Sequence, residues 1–430
     1  MYLRKRCQMR AHVHLSGAIL SLALTGAGAQ EESVNMPDPR IQEAVALMQG
    51  FAERTGLASG QSQKRYLWTD AFAVCNLLGL ARVTGDAHDS ELALRLVAQV
   101  HHTLGRHRDD DRRSGWLSGL SEHEGEAHPT RGGLRIGKGL PERGLEDRVD
   151  ERLEWDRDGQ YFHYLTKWMH ALDQVTRSTG QARFNLWARE LASTAYHAFA
   201  YQPAAGRMHR MYWKMSIDLT RPLVPSMGQH DPLDGYVTAL QLAATATALP
   251  DAAGEPDLAH ETGQFAAMIA GDGLATTDPL GIGGLLTDAY RVQQLLQQGA
   301  PADTHLVETL LTASLAGLQQ YARSGDLQLP ADYRLAFREL GLAIGLHAVE
   351  RLWQAAQDGR GRSLFSAGAH ARLQELMPYV PIGEDIESFW RDPAHRRAST
   401  WLEHRDINDV MLATRLVPDG FLVLRSPGSN

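Results

Sequence analysis

Apolar residues recur every three to four positions through most of the chain, which is the period of a helix with one face turned to a core. In IQEAVALMQGFAERTG, Ile41, Val45, Met48 and Phe51 fall on one stripe; in SELALRLVAQVHHTLG, Leu92, Leu96, Val100 and Leu104 fall on another. Both stripes have a polar back, as surface helices should. Three further stretches, 70–85, 237–249 and 334–352, are apolar nearly all round, the pattern of a helix packed between neighbours. Gly79, Ala243, Gly341 and Gly345 within this set would let helices approach closely. No run of strict alternation appears, so the main signal of a sheet is missing.

The two kinds of helix alternate. Outer helices are predicted near 41–56, 88–105, 183–201, 256–270, 303–323 and 364–376, and inner helices start near 68, 160, 233, 281, 332 and 406. A weak internal repeat supports the pairing: HDPLDGYVTALQL and TDPLGIGGLLTDAY align Asp231 on Asp278, and PADYRLAF begins a similar step later, the spacing of stacked helical hairpins. Gly-, Arg- and Asp-rich insertions at 106–157 and 204–232 lengthen two intervals. Loops beyond about 15 residues without structure of their own are usually functional or disordered. The expected fold is all-α, an alpha/alpha toroid of six hairpins with two long loop insertions, forming a single domain over 30–430.

At 430 residues and 43% hydrophobic content the chain can bury a large core. The formal charge of −8 and the lack of a basic stretch flanked by aromatics argue against nucleic acid as a partner. RHRDDDRR (106–113) reads as a solvated, self-neutralising loop. Cys7 and Cys75 are the only cysteines, too few for a disulfide framework or a Cys-rich metal site. The basic MYLRKRCQMR, the short apolar LSGAILSLAL and the small residues Ala27 and Ala29 read as an export signal over 1–29, implying a periplasmic or secreted protein. The apolar run is shorter than the roughly 20 residues a bilayer requires, so stable membrane insertion is not expected.

YLWTDAFAVCNLLGLARVTGD, EWDRDGQYFHYLTKWMHALDQVTRSTG and GQHDPLDGYVTAL each join a Trp/Asp or Asp/Gly/Tyr cluster to an inner helix. In these segments and in its architecture from about residue 40 onward, the chain resembles the six-hairpin glycosidase superfamily. The resemblance implies that inner-helix starts and their loops line a central carbohydrate-binding cleft.

Asp231 before Pro232, and Asp278 before Pro279, fit helix starts with Asp as cap and Pro in the first turn. Asp234 lies one turn in, where it serves either the helix dipole or the cleft. Capping explains neither His230 nor Tyr236 beside it. EWDRDGQYFHY is the densest polar and aromatic cluster. Asp158 could cap a helix beginning at Gly159, which leaves Glu154 and Asp156 free for chemistry near Trp155, Tyr161 and His163. Glycoside cleavage needs two carboxyl groups, one protonated and one ionised, and burial beside an indole would split their pKa values. The expected acids are therefore Asp70, Glu154, Asp156, Asp158 and Asp234. Trp68, Trp155, Trp213 and Tyr236 are expected to stack on sugar rings. Asp288, Arg338, Glu339 and Glu403 complete the candidate set; charges inside a buried helix pattern either pair with neighbouring helices or face the cavity.

GGLRIGKG (132–139) fails as a phosphate loop because Gly139 stands where Ser or Thr is required. HEGEAH (123–128) spaces its histidines five apart, not the four that put two ligands on one helix face. No cofactor is called for. The expected activity is glycoside hydrolysis on an oligosaccharide or glycan. The alternatives are a sugar epimerase or lyase using His163, His170, His230 or Tyr236, where His170, well inside a helix, reads more simply as a satisfied core histidine, and a glycan-binding toroid without catalysis.

Overall fold

A computed structural model describes residues 38–59, 63–249, 254, 256–269, 273–358 and 365–427; the export segment read over 1–29 lies outside the described residues. Helix starts follow their local chemistry. Asp38 caps α1 (Pro39–Arg54) by accepting from the Arg40 amide, with Pro39 in the first turn. α2 (Leu67–Thr84) ends at Gly85 in the left-handed region, and Asp86 then caps α3 (Ala87–Leu104). The first long excursion holds α4 (Glu122–Ala127), α5 (Glu151–Glu154) and β1 (Gln160–Tyr161) before α6 (Phe162–Thr179) and α7 (Ala182–Phe199). The second excursion holds β2 (Ala200–Tyr201), β3 (Arg210–Met211), β4 (Lys214–Met215) and β5 (Pro222–Val224). After it come α8 (Asp231–Ala248), α9 (Ala259–Ile269), α10 (Pro279–Gln297), α11 (Thr304–Ser324) and α12 (Ala336–Gln357). The chain closes with α13 (Ala367–Leu376), α14 (Pro381–Arg391), α15 (Ser399–Glu403), α16 (Arg405–Leu416) and α17 (Asp419–Leu422).

α2, α6, α8, α10, α12 and α16 pack side by side, and α16 returns to α2, so the inner ring closes. Around it lie α3, α7, α9, α11, α13 with α14, and α1. The layers match the sequence pattern. Every residue of α2 from Leu67 to Leu80 is buried, whereas α3 buries a stripe through Leu92, Leu96 and Val100. The six predicted inner starts fall within four residues of those observed. α1, the first described helix, packs on α16, so segments remote along the chain complete the circle; Arg54 spans them, 2.8 Å from Asp406 and 2.7 Å from Asp409. α14 was not read from the sequence; with α13 it covers α12 through buried Ile386 and Trp390.

α10 and α12 approach most closely where glycine faces glycine. A Cβ on Gly283 would collide with the Gly341 carbonyl, and one on Gly345 would meet the Gly283 backbone. At the base of the ring, α17 and residues 423–425 act as a plug. Gln174 Nε2 donates to the Gly420 carbonyl at 2.9 Å, Gln294 Nε2 to the Leu422 carbonyl at 2.9 Å, and Arg177 Nη1 to the Arg425 carbonyl at 2.6 Å. These bonds satisfy carbonyls of the short helix α17 and of the extended residues after it, where no further helical turn donates to them. Among the described residues no helix is long and apolar enough to cross a membrane.

At the opposite end the two excursions are joined by a small antiparallel sheet ordered β1–β4–β5, with Tyr161 opposite Lys214. Its strands are two or three residues long, too short to show as alternation in the sequence. The sheet sets Trp213 beside the start of α6.

Candidate functional site

Inner-helix starts converge on a cleft with two compartments. The deep one, about 330 Å³, is lined by Trp68 from α2, His163 and Lys167 from α6, Asp231 and Asp234 from α8, and Asp288 from α10, with Phe421 of the plug below. The outer one, about 860 Å³, shares Trp68, His163, Trp213, Leu280 and Arg338 with it, so the two adjoin.

The centre of the deep compartment is a set of acids whose protonation the surroundings separate. Asp231 is 4% exposed, and its Oδ2 is buried with no hydrogen-bond partner among the described residues. Burial, reinforced by the neighbouring Asp234 charge, pushes its carboxyl up to about 8. Asp234 sits one turn further along α8. Burial opposes its ionisation, but Lys167 Nζ, 3.2 Å from both carboxylate oxygens, a hydrogen bond from Asp288, and Arg291 together hold it below the usual carboxylate range. Asp288 moves the other way: burial and the Asp234 charge raise it against the pull of Arg291, whose Nη1 lies 2.8 Å from it. Around neutral pH this places a protonated Asp231 beside an ionised Asp234. His163 Nδ1 is 3.8 Å from Asp231, and burial keeps the imidazole below its ordinary value, down to about 4, so it is neutral at the same pH.

Beneath the acids a polar network locks the ring. Arg291 donates to Gln241 Oε1 and Thr238 Oγ1, Gln241 Nε2 donates to Asp173, and His170 lies between Gln241 Oε1 and the Phe421 carbonyl. His170 is thus the satisfied core histidine expected from its place deep in a helix. Aromatic walls rise on one side. Trp213 lies parallel to His163 with ring centroids 6.1 Å apart, and Trp155, 54% exposed, meets Trp213 edge-on at 5.0 Å.

Several sequence expectations change. Asp231 does not cap α8: it is the first helical residue, the cap position is His230, and the carboxyl points into the cavity. Asp278, its partner in the repeat, does cap α10 by accepting from the Gly281 amide, and also takes Arg338 Nη1 at 2.7 Å. Asp158 caps no helix, because α6 begins at Phe162. It is fully buried, 2.6 Å from Arg135 Nη1, and accepts from the Gly137 amide. Glu154 is likewise occupied in the scaffold, 2.7 Å from Arg143 Nε and 3.5 Å from the buried Lys214. Asp156 is exposed and lines neither compartment. Glu339 is held by Arg334 at 2.7 Å and accepts from the Trp390 indole at 2.8 Å, away from the cleft. Tyr236 faces outward, to Asp303 at the start of α11, and Tyr161 packs behind Trp213 without lining either compartment.

Other expectations meet in the cleft: Trp68, Trp155, His163, Trp213, His230, Asp234, Asp288 and Arg338 line it, and Glu403 lines the outer compartment. Asp70 also reaches the outer compartment, but accepts from the Tyr66 amide at 2.9 Å and lies 3.5 Å from Arg65. Burial raises its carboxyl to about 6. Lys167, Arg291 and Phe421 were missed. A signal existed for the first two: His163, Lys167 and His170, like Thr287, Asp288 and Arg291, form polar stripes at helical spacing on otherwise apolar helices, which is the mark of a face turned to a polar lumen. Phe421 carried no such signal.

No family model matches the chain, and no curated protein sequence matches it. Among solved structures, the chain is similar to a GH76 alpha-mannanase of Bacteroides thetaiotaomicron, with a TM-score of 0.52 at 8% identity over 89% of this chain and 96% of the other. A cellobiose 2-epimerase of Spirochaeta thermophila aligns with a TM-score of 0.43 at 11% identity, over 82% of this chain and 86% of that one. A sugar epimerase from a ruminal bacterium aligns at 0.42 and 10% identity, over 83% and 88%. The likeness is one of fold: the chain is an alpha/alpha toroid.

Proposed function

We propose that this protein is a carbohydrate-active enzyme that hydrolyses a glycosidic bond, with Asp231 as general acid and Asp234 as the ionised partner. The observation that carries the reading is the split between two buried carboxyls on one helix, both lining the deep compartment: Asp231 kept protonated by burial and the neighbouring Asp234 charge, Asp234 kept charged by Lys167. Pairs of titratable groups pushed apart by their surroundings are the pattern of acid/base division of labour. A mannanase built on the same scaffold is consistent with this use of the fold, though fold alone does not fix function.

Asp231 would protonate the departing oxygen, and Asp234 would attack the anomeric carbon. On a helix, Cβ atoms three positions apart are about 5–6 Å from each other. That suits the roughly 5–5.5 Å between carboxyl groups in retaining enzymes better than the roughly 6.5–9.5 Å that leaves room for water in inverting ones. Retention is therefore the expected course. Lys167 and Asp288 would hold the Asp234 carboxylate in place, and Trp68 and Trp213 would present flat apolar faces to sugar rings.

The test is turnover of an oligosaccharide panel by the parent, Asp231→Asn and Asp234→Asn, with the anomer of the first product followed by NMR. Asp234→Asn should lose activity throughout. Asp231→Asn should lose about 10²–10⁴-fold on unactivated glycans, the usual range for a general acid, and much less on aryl glycosides whose leaving group needs no proton. Either variant retaining parental activity on unactivated glycans would sink the assignment.

A second reading has its own observation. His163 is neutral, faces the cleft and lies 3.8 Å from Asp231, an arrangement suited to abstracting a proton beside a carbonyl, as in an epimerase. Deuterium from heavy water entering an unhydrolysed sugar product would favour it over hydrolysis.

A further inference from the structure

We infer that the outer compartment selects a sugar residue carrying a negative charge, so that the substrate is an acidic glycan; this rests on the glycan-cleaving reading of the deep compartment. The chain as a whole is acidic, with a formal charge of −8, yet this stretch of its surface is the reverse. Lys64, Arg65, Arg135, Lys138, Arg338 and Arg405 line the outer compartment, against Asp70, Glu403 and Asp406. Arg135, Arg338 and Arg405 are paired with Asp158, Asp278 and Asp409, Arg65 lies 3.5 Å from Asp70, and Asp406 is taken by Arg54 at 2.8 Å; Lys64 and Lys138 have no ion-pair partner among the described residues.

The donors themselves are incompletely used. Lys138 is half-buried with its Nζ 5.3 Å from the centre of the Tyr66 ring, and no carboxylate pairs with it among the described residues. Arg65 is fully buried along its side chain; among the described residues its Nε and Nη1 have no hydrogen-bond partner, while Nη2 donates to the Thr55 carbonyl at 2.7 Å. Arg338, at the junction of the two compartments, uses Nη1 on Asp278 while its Nε is buried without a hydrogen-bond partner among the described residues. Buried donors left unmade are costly, so sites that keep them commonly do so for a ligand. The segment bearing Lys138 is well fixed: Asp158 accepts from the Gly137 amide at 3.0 Å and the Lys138 amide at 3.3 Å, and the Ile136 carbonyl accepts from Leu67 at the head of α2. The glycine-rich stretch that failed as a phosphate loop thus serves as the mount for a cleft lysine.

A carboxylate or a sulfate ester on the sugar one position from the scissile bond would match these donors, and the aromatic rings of Tyr66, Trp155 and Trp213 would hold its carbon face. The test uses the full chain carrying Asp234→Asn to prevent turnover, and titrates it calorimetrically with trigalacturonate, with a sulfated carrageenan oligosaccharide and with neutral mannotriose. At least one anionic probe should bind about tenfold or more tightly than mannotriose, the size of one or two charge-assisted hydrogen bonds. The advantage should shrink between about 0.01 and 0.15 M salt. Adding Lys138→Ala, or separately the exposed Lys64→Ala, should erode it, circular dichroism confirming the fold. Which anion wins tells carboxylate from sulfate. Mannotriose binding as tightly as both anions, neither anion binding, or anion binding indifferent to salt and to both lysines would overturn the inference. The two proposals fail separately: cleavage of neutral glycans that depends on Asp231 leaves the hydrolase standing without the anion subsite, and salt-sensitive anion binding with no cleavage by the parent does the reverse.

Discussion

Asp231 and Asp234 differ by one helical turn, yet their surroundings treat them oppositely. Among the described residues Asp231 has no Lys or Arg within ion-pair range, only the neutral His163 at 3.8 Å, whereas Asp234 has Lys167 at 3.2 Å. A pH–rate profile should therefore be bell-shaped. On the alkaline side activity should fall as pH rises through about 8, where Asp231 loses the proton it must donate. On the acid side it should persist to below the ordinary carboxylate range, because Asp234 stays charged there. A profile that keeps rising past pH 9 would contradict the acid role of Asp231. The same residue has a consequence for stability. Its folded pKa of about 8 lies above the 3.8 of an unburied carboxyl, so the folded state keeps a proton that the unfolded chain has released, and stability falls as pH rises from about 4 to about 8. Asp231→Asn removes this penalty. Its Tm should exceed the parent's by about 2 °C or more at pH 8 and converge with it toward pH 4; a variant less stable than the parent at pH 8 would mean that the charge is compensated.

Among the helices, similar sequence does not mean similar work. Asp231-Pro232 and Asp278-Pro279 align, but the helix begins one residue earlier relative to the motif in α8 than in α10. That single step turns a cap into a cavity acid. Asp278→Ala should then cost about 1 kcal/mol of stability in urea denaturation, as the loss of a good cap does, an effect that no change in α8 reproduces by this route. The α10–α12 contact gives a sharper case. Gly283→Ala has to push its methyl into the Gly341 carbonyl, so a loss of about 1–3 kcal/mol, typical of overpacking, is expected in the same measurement. Indifference to that methyl would show that the two helices are free to move apart. The periodicity that revealed the ring missed α14, whose eleven residues begin at Pro381 just after a 3₁₀ turn, with little separation from α13.

The ring is closed twice, by α1 against α16 around its side and by the 419–425 plug at its base. Truncation before Asp419 would strand Gln174, Gln294 and Arg177, at about 1–3 kcal/mol for each buried group left unsatisfied. It would also remove Phe421, the floor of the deep compartment. A markedly lower Tm and a loss of glycan turnover are expected together; an unchanged Tm would show that the plug is dispensable. The order and layer of the helices could be read from the chain alone, because amphipathic stripes and all-round apolar stretches report how many neighbours each helix has, and that is a local property of side-chain spacing. The identity of the acids could not. Glu154 looked free, and Asp158 looked like a cap or a catalytic acid, because their partners Arg143, Lys214 and Arg135 lie in segments that no periodicity connects to them. Asp231 looked like a cap because its local sequence is that of one. Whether a carboxyl is neutralised, charged or simply tied up depends on what the closed ring brings within a few ångströms of it, and distances between residues remote along the chain are set by packing rather than by the residues that flank them.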